Sequence, residues 1–280
     1  MNNLGVLAAA LAALCWGSYM VPFKKSGSLN LIQFQALMAV GVGFSGLLIS
    51  LTLGFPLSFN IYGLASGLLW AVANAIFLQA VVNLGIARAV PIAASLVIIL
   101  SFLWGGLVFN EMPTGIMVGF LGVGLIILGV VIISTIGSLE SQNIKRGLLS
   151  AVSAGVIWGS QWVPLKLGQV ATRDFFFPVC LGIFVSGLII FALKKKRFKA
   201  EAVGLSLLSG LIWNIGNLLS LVSLSIIGLS KMGPISQMAV LVAVLWGVFY
   251  FKEVTKSTAR LQVLIGAMIL LTGVVILGFA

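Results

Sequence analysis

Continuous apolar runs of about 20 residues recur along the whole chain, and they limit the fold more than any other feature. Of the 280 residues, 61% are hydrophobic and 8% are charged, and the mean hydropathy is +1.23. A soluble domain cannot bury that much apolar surface, whereas a helix of about 20 residues crosses the roughly 30 Å hydrocarbon core of a bilayer. Backbone groups in lipid must bond internally, and the runs do not alternate, so they predict helices rather than barrel strands.

The apolar runs predict an all-α membrane protein with ten transmembrane helices. The connections between them are too short to hold another domain. The first 25 residues lack the basic start of a cleaved signal peptide, so we expect them to form the first span. The expected spans are 4–23, 31–53, 61–83, 90–109, 115–136, 147–166, 175–193, 203–227, 232–251 and 260–279.

The basic residues indicate how the chain is oriented. Thirteen of the 16 Lys and Arg residues fall in the odd-numbered loops, and the other three, Lys166, Arg173 and Lys231, fall in even-numbered loops. By the positive-inside rule the odd loops are cytoplasmic, which predicts a plasma-membrane protein with both termini outside. The net charge of +11 is scattered over short loops instead of one soluble face, so we expect no nucleic-acid partner.

Several classes of function are excluded by what the sequence lacks. It contains no histidine, no acid pair and no activated nucleophile, so we expect neither an enzyme nor a metal site. Its two cysteines, Cys15 and Cys180, lie within apolar runs and are expected to pack as small hydrophobic residues. No nucleotide-binding motif is present, and we expect no cofactor.

An internal repeat divides the chain into 1–139 and 140–280. The phrase "CWGSYMVPFKK" at 15–25 returns as "IWGSQWVPLKL" at 157–167, and "GLLWAVAN" at 67–74 returns as "GLIWNIGN" at 210–217. Each half holds five expected spans, an odd number, so the second copy must cross the membrane in the opposite sense. Such inverted repeats place a substrate near the midplane and exchange two conformations by alternating access.

The repeated phrase also contains candidate gating residues. Pro22 and Pro164 weaken the helix near the lysines that end the two spans, Lys24 and Lys166. A bendable helix end with a charged stop suits a gate. Alternatively, the proline and the lysine only terminate the helix at the interface.

The ten spans, the repeated phrase and the paired segments "FNEMPTGIMVGFLGVGLIILGVVI" and "FKEVTKSTARLQVLIGAMILLTGVVI" resemble the drug/metabolite transporter superfamily. Within it, the pattern GSxxVPxKK at the end of span one is similar to the glucose/ribose porter and rhamnose transporter group. The resemblance implies that spans 1–4 and 6–9 surround the pathway. It also implies that spans 5 and 10 act as a scaffold or as the contact of a homodimer.

Aromatic and amide side chains at helical spacing suggest a site for a neutral polyol. Trp70 and Asn74 are four residues apart, as are Trp213 and Asn217, so each pair places an indole beside an amide on one helix face. A sugar ring can stack on the indole and exchange hydrogen bonds with the amide. Alternatively, the amides only tie helices together. The remaining candidate substrate-binding residues are Trp16, Tyr19, Trp158, Gln161, Asn214 and Gln237.

The five acidic residues all lie outside the middle of the expected spans. Glu111 and Glu253 occupy matching positions just before spans five and ten. A carboxylate there interacts favourably with the dipole of the helix that follows, which is the role we favour. Proton coupling is the alternative.

These features together predict a secondary transporter for a small polar solute, with sugar uptake as the favoured activity and the lipid bilayer as its surroundings. Either a coupling ion, H⁺ or Na⁺, or the gradient of the substrate itself would supply the energy. The alternative is an exporter of amino acids or related metabolites, in which Arg88 or Lys231 would meet a substrate carboxylate.

Overall fold

The computed structural model describes residues 3–26, 30–111, 116–134, 143–193, 200–253 and 256–279. Over these residues the chain is helical and contains no strand. The boundary expected between the repeats, 139/140, and the basic run 194–199 lie outside them. The helices are α1 Asn3–Ser18, α2 Val21–Ser26, α3 Leu31–Leu53, α4 Ile61–Leu84, α5 Ile86–Leu103, α6 Ile116–Ser134, α7 Ile144–Gly159, α8 Val163–Leu167, α9 Thr172–Leu193, α10 Ala200–Ile227, α11 Leu229–Ser236, α12 Ala239–Leu245 and α13 Ser257–Phe279.

Eight helical segments in the described part of the chain are long and apolar enough to cross a membrane, compared with the ten that the sequence predicts. Two shorter apolar helices, Met117–Ile133 and Ala239–Tyr250, occupy the places of expected spans five and nine. The fold is therefore an all-helical bundle with eight candidate spans.

The repeated phrase forms a broken helix in each half. Residues 19–20 separate α1 from α2, and residues 160–162 separate α7 from α8. Pro22 and Pro164 have no backbone N–H, so neither can donate to the carbonyl four residues earlier. The proline that the sequence marks as a weak point thus follows directly after each break.

Serine side chains from the opposite half bond to backbone carbonyls in these breaks. The Ser66 hydroxyl on α4 donates to the carbonyl of Gln161 at 2.8 Å. The Ser209 hydroxyl on α10 donates to the carbonyl of Tyr19. Backbone polar groups that leave a helix within a membrane protein need such partners, so each half supports the irregular backbone of the other.

Two single-residue turns also occur at matching positions. Gly85 alone separates α4 from α5, and Gly228 alone separates α10 from α11. Their φ angles are 77° and 76°, in a region that glycine enters without the steric cost that a Cβ atom brings. As a result, α5 and α11 begin immediately beside the ends of the preceding helices.

Other irregularities lie in the helices that these turns introduce. One turn of π-helix, Trp104–Val108, extends α5, and another, Trp246–Tyr250, extends α12. Residues 237–238 interrupt the path between α11 and α12, whereas α5 is continuous. Expected spans four and nine therefore begin and end in the same way, but only span nine is interrupted in its middle.

The two halves pack crosswise. α1 packs on α10, α4 on α7, α3 on α9 and α6 on α13, so the extensive contacts join helices of different halves. Glycine permits the closest approaches. A methyl group on Gly67 would overlap the carbonyl oxygen of Val179, and one on Gly210 would overlap that of Met38.

We expect Gly67→Ala to destabilise the protein, because α4 and α9 must separate to admit the methyl group. Overpacking of this kind costs about 1–3 kcal/mol, which should lower the midpoint of thermal unfolding in detergent by about 2 °C or more. Gly124→Ala on α6 is the control, since a Cβ atom there meets nothing within 4 Å. Equal midpoints of thermal unfolding for Gly67→Ala and Gly124→Ala would show that the stability of the protein does not depend on the close approach of α4 and α9.

Candidate functional site

A cavity of about 90 Å³ lies between the two halves. Helices α1, α4 and α5 line it from the first half, and α7, α10, α11 and α12 line it from the second. All three interruptions in the helices reach it, because Tyr19, Gln161, Trp162 and Gln237 belong to its lining. Irregular backbone within a membrane protein is tolerated where it is buried in protein or lines a cavity, as these segments do.

Tryptophan dominates the cavity wall. Trp16, Trp70, Trp158, Trp162 and Trp213 all line it. The rings of Trp70 and Trp213, which are repeat mates, meet with centroids 4.1 Å apart and planes at 45°. Flat apolar faces of this kind suit a ligand that has apolar C–H surface as well as polar edges.

Two fully buried hydrogen-bond donors at the cavity have no partner within the protein. They are the side-chain amide nitrogen of Gln161 and the indole nitrogen of Trp158, and both atoms are buried. Gln161 as a whole is only 5% exposed. Buried donors without partners are costly, so a ligand oxygen or a water molecule that accepts from them would be stabilised.

The repeat mates of these two residues are already bonded. The Trp16 indole nitrogen donates to the carbonyl of Trp213 at 3.3 Å, and the Tyr19 hydroxyl donates to the side-chain oxygen of Asn74 at 3.1 Å. The free donors of the two pairs therefore both come from the second half. A frame with twofold repetition thus presents an asymmetric set of polar groups.

The three asparagines predicted to contact substrate do not line the cavity. Asn74 donates to the side-chain oxygen of Gln35 at 2.5 Å, and Asn214 donates to the Ser45 hydroxyl at 3.0 Å. Asn217 donates weakly to Asn214 at 3.4 Å. All three are fully buried. The bonds of Asn74 and Asn214 fit the alternative that amides tie helices together, whereas the bond of Asn217 stays within α10.

Seven of the ten predicted substrate-binding residues do line the cavity: Trp16, Tyr19, Trp70, Trp158, Gln161, Trp213 and Gln237. Sequence reasoning missed Trp162, Phe77 and Met232, which also line it. Trp162 has no tryptophan at the matching position of the first half, so pairing tryptophans between the repeats does not indicate it. Its position beside Gln161 in the interrupted phrase was the available signal.

The predicted gating lysines form ion pairs with acids of the opposite half. Lys24 on α2 pairs with Glu253, and Lys166 on α8 pairs with Glu111, with 2.5 Å between their atoms. Pro22 and Pro164 lie in the same short helices. The gating role of these four residues stays a prediction.

The two glutamates contact helices other than the ones that follow them, which differs from the role favoured from the sequence. Residues 112–115 and 254–255, which connect Glu111 to α6 and Glu253 to α13, lie outside the described residues. The carboxylate of Glu253 instead accepts from the backbone N–H groups of Ile86 and Ala87. That of Glu111 accepts from the N–H of Ser230. Each carboxylate lies at the start of a helix from the other half.

No charged side chain belongs to the cavity lining in the described part of the protein. Arg88 and Lys231, which the exporter alternative would use, are not among the lining residues. The cavity therefore lacks a direct partner for a substrate carboxylate or phosphate.

Comparison with known proteins gives the family. A family model described as sugar transport protein matches residues 7–280. The chain belongs to this sugar transport protein family. It is 27% identical to the glucose uptake protein GlcU of Bacillus subtilis over 99% of both chains. It is also 27% identical, again over 99% of both, to the protein of Priestia megaterium named probable glucose uptake protein GlcU.

One solved crystal structure aligns with 97% of the chain and 97% of its own length, with a TM-score of 0.64 and 18% identity. This match shows a shared fold. The family membership and the apolar helices together make the protein an integral membrane transporter. The expectation that it is not an enzyme is confirmed by its family.

We expect Asn74→Leu to lower stability because it leaves the Tyr19 hydroxyl and the Gln35 side chain without their partner. An unsatisfied buried group costs about 1–3 kcal/mol, which should appear as a lower midpoint of thermal unfolding in detergent. Asn83→Leu on the same helix is the control, since the Asn83 amide bonds only to the carbonyl of Gln79 in its own helix. A stable Asn74→Leu protein that no longer binds sugar would instead restore the role in substrate contact.

Proposed function

We propose that this protein takes a neutral monosaccharide into the cell across the plasma membrane. The observation that carries the proposal is the uncharged, tryptophan-lined cavity with two free donors, Gln161 and Trp158. The family supports sugar as the cargo, and the relatives named as glucose uptake proteins support uptake as the direction.

The chemistry of a pyranose fits this cavity. Its C–H face offers apolar surface to the indole rings, and its hydroxyl and ring oxygens can accept from the unpaired N–H groups of Gln161 and Trp158. An amino acid would bring a carboxylate and an ammonium group into a cavity that has no charged lining residue. Burying such charges without partners is expensive, which argues against the exporter of amino acids.

We also propose that the chain crosses the membrane ten times as two inverted five-helix repeats, with both termini outside. Contacts between loops support this topology. Glu253 contacts both Lys24 and the backbone of Ile86, and all three residues come from odd-numbered loops. Lys166 and Glu111 both come from even-numbered loops and also meet. In the described residues, neither ion pair joins an odd loop to an even one.

Transport by alternating access follows from this arrangement. The present cavity is well below the roughly 300–1,000 Å³ typical of ligand pockets, so the halves must move apart to admit a sugar. Matching contacts at the two ends of the bundle give the protein two related ways to open. Coupling to H⁺ or Na⁺, and a dimer through α6 and α13, stay predictions.

The decisive experiment is uptake of radiolabelled D-glucose by proteoliposomes that contain only this protein. We expect saturable uptake, with the KM raised about 2- to 10-fold in Gln161→Ala, because one hydrogen bond of about 0.5–1.5 kcal/mol is lost. Trp158→Phe, which removes the N–H but keeps an aromatic ring, should act in the same direction.

Gln79→Ala provides the control, because it removes the same amide from α4 at a position outside the cavity lining. Its KM should match that of the unaltered protein. Absence of sugar uptake, together with flux of amino acids, would favour the exporter. Sugar uptake with unchanged KM in both Gln161→Ala and Trp158→Phe would place the substrate elsewhere.

A further inference from the structure

Glu253 joins three parts of the protein at one end of the bundle. Its carboxylate pairs with Lys24 on α2 and accepts from the N–H groups of Ile86 at 3.0 Å and Ala87 at 2.8 Å. Lys24 and both amides belong to the first half, whereas Glu253 belongs to the second. We call Glu253, Lys24 and these two amides the Glu253 latch.

Glu111, which belongs to the first half, makes the corresponding contacts with residues of the second half. Its carboxylate pairs with Lys166 on α8 at 2.5 Å and accepts from the N–H of Ser230 at 2.8 Å. Lys166 and Ser230 belong to the second half, whereas Glu111 belongs to the first. We call Glu111, Lys166 and the Ser230 amide the Glu111 latch.

The two latches lie about one membrane thickness apart. α5 begins at the Glu253 latch, and its π-helical extension ends at Val108, just before Glu111. At 1.5 Å per residue, the path from Ile86 to Val108 covers roughly 30 Å. The latches therefore belong to opposite faces of the membrane, on either side of the central cavity.

Further contacts of matching geometry hold each latch closed. The Trp246 indole donates to the Ser18 hydroxyl, and the Trp104 indole donates to the Ser160 hydroxyl, both at 3.1 Å. Each tryptophan begins a π-helical turn, and each serine lies at the break that precedes a latch lysine. The indole thus ties the broken helix to the segment that leads to the glutamate.

Each latch is connected to the cavity through short lengths of chain. Gln161, one of the free donors, is five residues before Lys166, and Tyr19, which also lines the cavity, is five residues before Lys24. α5 and α11 present N–H groups to the latches and line the cavity farther along. Movement of a broken helix would therefore change a latch and the cavity wall together.

From these contacts we infer that Glu253 and Glu111 are gating residues, each closing one face of the protein, and that the two latches open alternately during transport. This inference rests on the alternating access proposed above. Both latches are formed in the present structure, whose cavity holds about 90 Å³. Opening one latch would expose the cavity to one side while the other latch keeps it closed.

The test measures from which side a thiol in the cavity can be reached. Ser236→Cys places the thiol in the lining, on a background in which Cys15→Ala and Cys180→Ser remove the native thiols. A membrane-impermeant maleimide is added to intact cells or to inside-out vesicles. Glu253→Gln keeps an oxygen acceptor for the backbone N–H groups but removes the charge that pairs with Lys24.

We expect Glu253→Gln to raise labelling from the cytoplasmic side about fivefold or more and to lower labelling from outside. Glu111→Gln should shift both rates in the opposite directions. Lys25→Gln is the control, because Lys25 adjoins Lys24 but stacks on Tyr250 instead of joining the latch. A shift in the same direction for both glutamine variants, or in neither, would overturn the inference.

A second pair of variants opens the latches without removing charge. A methyl group on Gly247 would stand 2.7 Å from the Glu253 carboxylate, and one on Gly105 would stand 2.9 Å from that of Glu111. Gly247→Ala should therefore change labelling in the same direction as Glu253→Gln, and Gly105→Ala in the same direction as Glu111→Gln. If both alanine variants are labelled at the same rates as the Ser236→Cys protein with intact latches, the role of the latches is contradicted.

Failure of the sugar proposal can be told apart from failure of the latches. Opposite labelling shifts in a protein that transports no sugar would leave the latches intact and overturn the proposed substrate. Sugar uptake without any labelling shift in the glutamine and alanine variants would retain the substrate and overturn the latches.

Discussion

The need to satisfy backbone hydrogen bonds inside a membrane shapes every irregular feature of this protein. An apolar chain in lipid is helical because only a helix bonds its own N–H and C=O groups. In the described residues the helix is interrupted within three of the expected spans, at 19–20, 160–162 and 237–238, and all three interruptions reach the central cavity. Where the phrase containing proline breaks the helix, Ser66 and Ser209 from the opposite half donate to the carbonyls of the turn. The breaks that the cavity requires are therefore stabilised by the crossing of the two halves.

The two halves of this protein repeat the same backbone features and contacts, but they differ in the residues that line the cavity. The serine bonds, the ion pairs, the single-glycine turns at Gly85 and Gly228 and the π-helical turns all occur twice. At the cavity the copies differ, because Tyr19 bonds to Asn74 whereas its mate Gln161 keeps free donors. A substrate without twofold symmetry requires such a difference. The contacts that both halves share at the ends of the bundle can thus serve movement, while the residues that differ at the cavity can serve substrate recognition.

The sequence was sufficient for the helical class, for the paired segments and for seven of the ten cavity residues proposed. It was insufficient where the answer depended on which neighbour a helix face meets. Asn74 and Trp70 share a face by spacing, yet the indole reaches the cavity and the amide turns to Gln35 on α3. Glu253 was assigned to the helix that follows it, because its true partners, Ile86 and Ala87, lie more than 160 residues away in the chain. Contacts between the halves carry no local signal in one sequence.

The strength of each latch suits the proposed mechanism, in which the carrier opens alternately to the two sides. An ion pair with a lysine that is 26–27% exposed is worth about 0–1 kcal/mol, and a carboxylate at a helix start adds about 0.3–2 kcal/mol. A latch therefore contributes about 0.3–3 kcal/mol, which taken alone corresponds to an open state populated at roughly 1–40%. A fully buried ion pair would cost several kcal/mol to break and would trap one conformation. In the proposed mechanism, partial exposure at the membrane interface keeps each latch weak enough for the free energy of binding one sugar to shift the balance between the two.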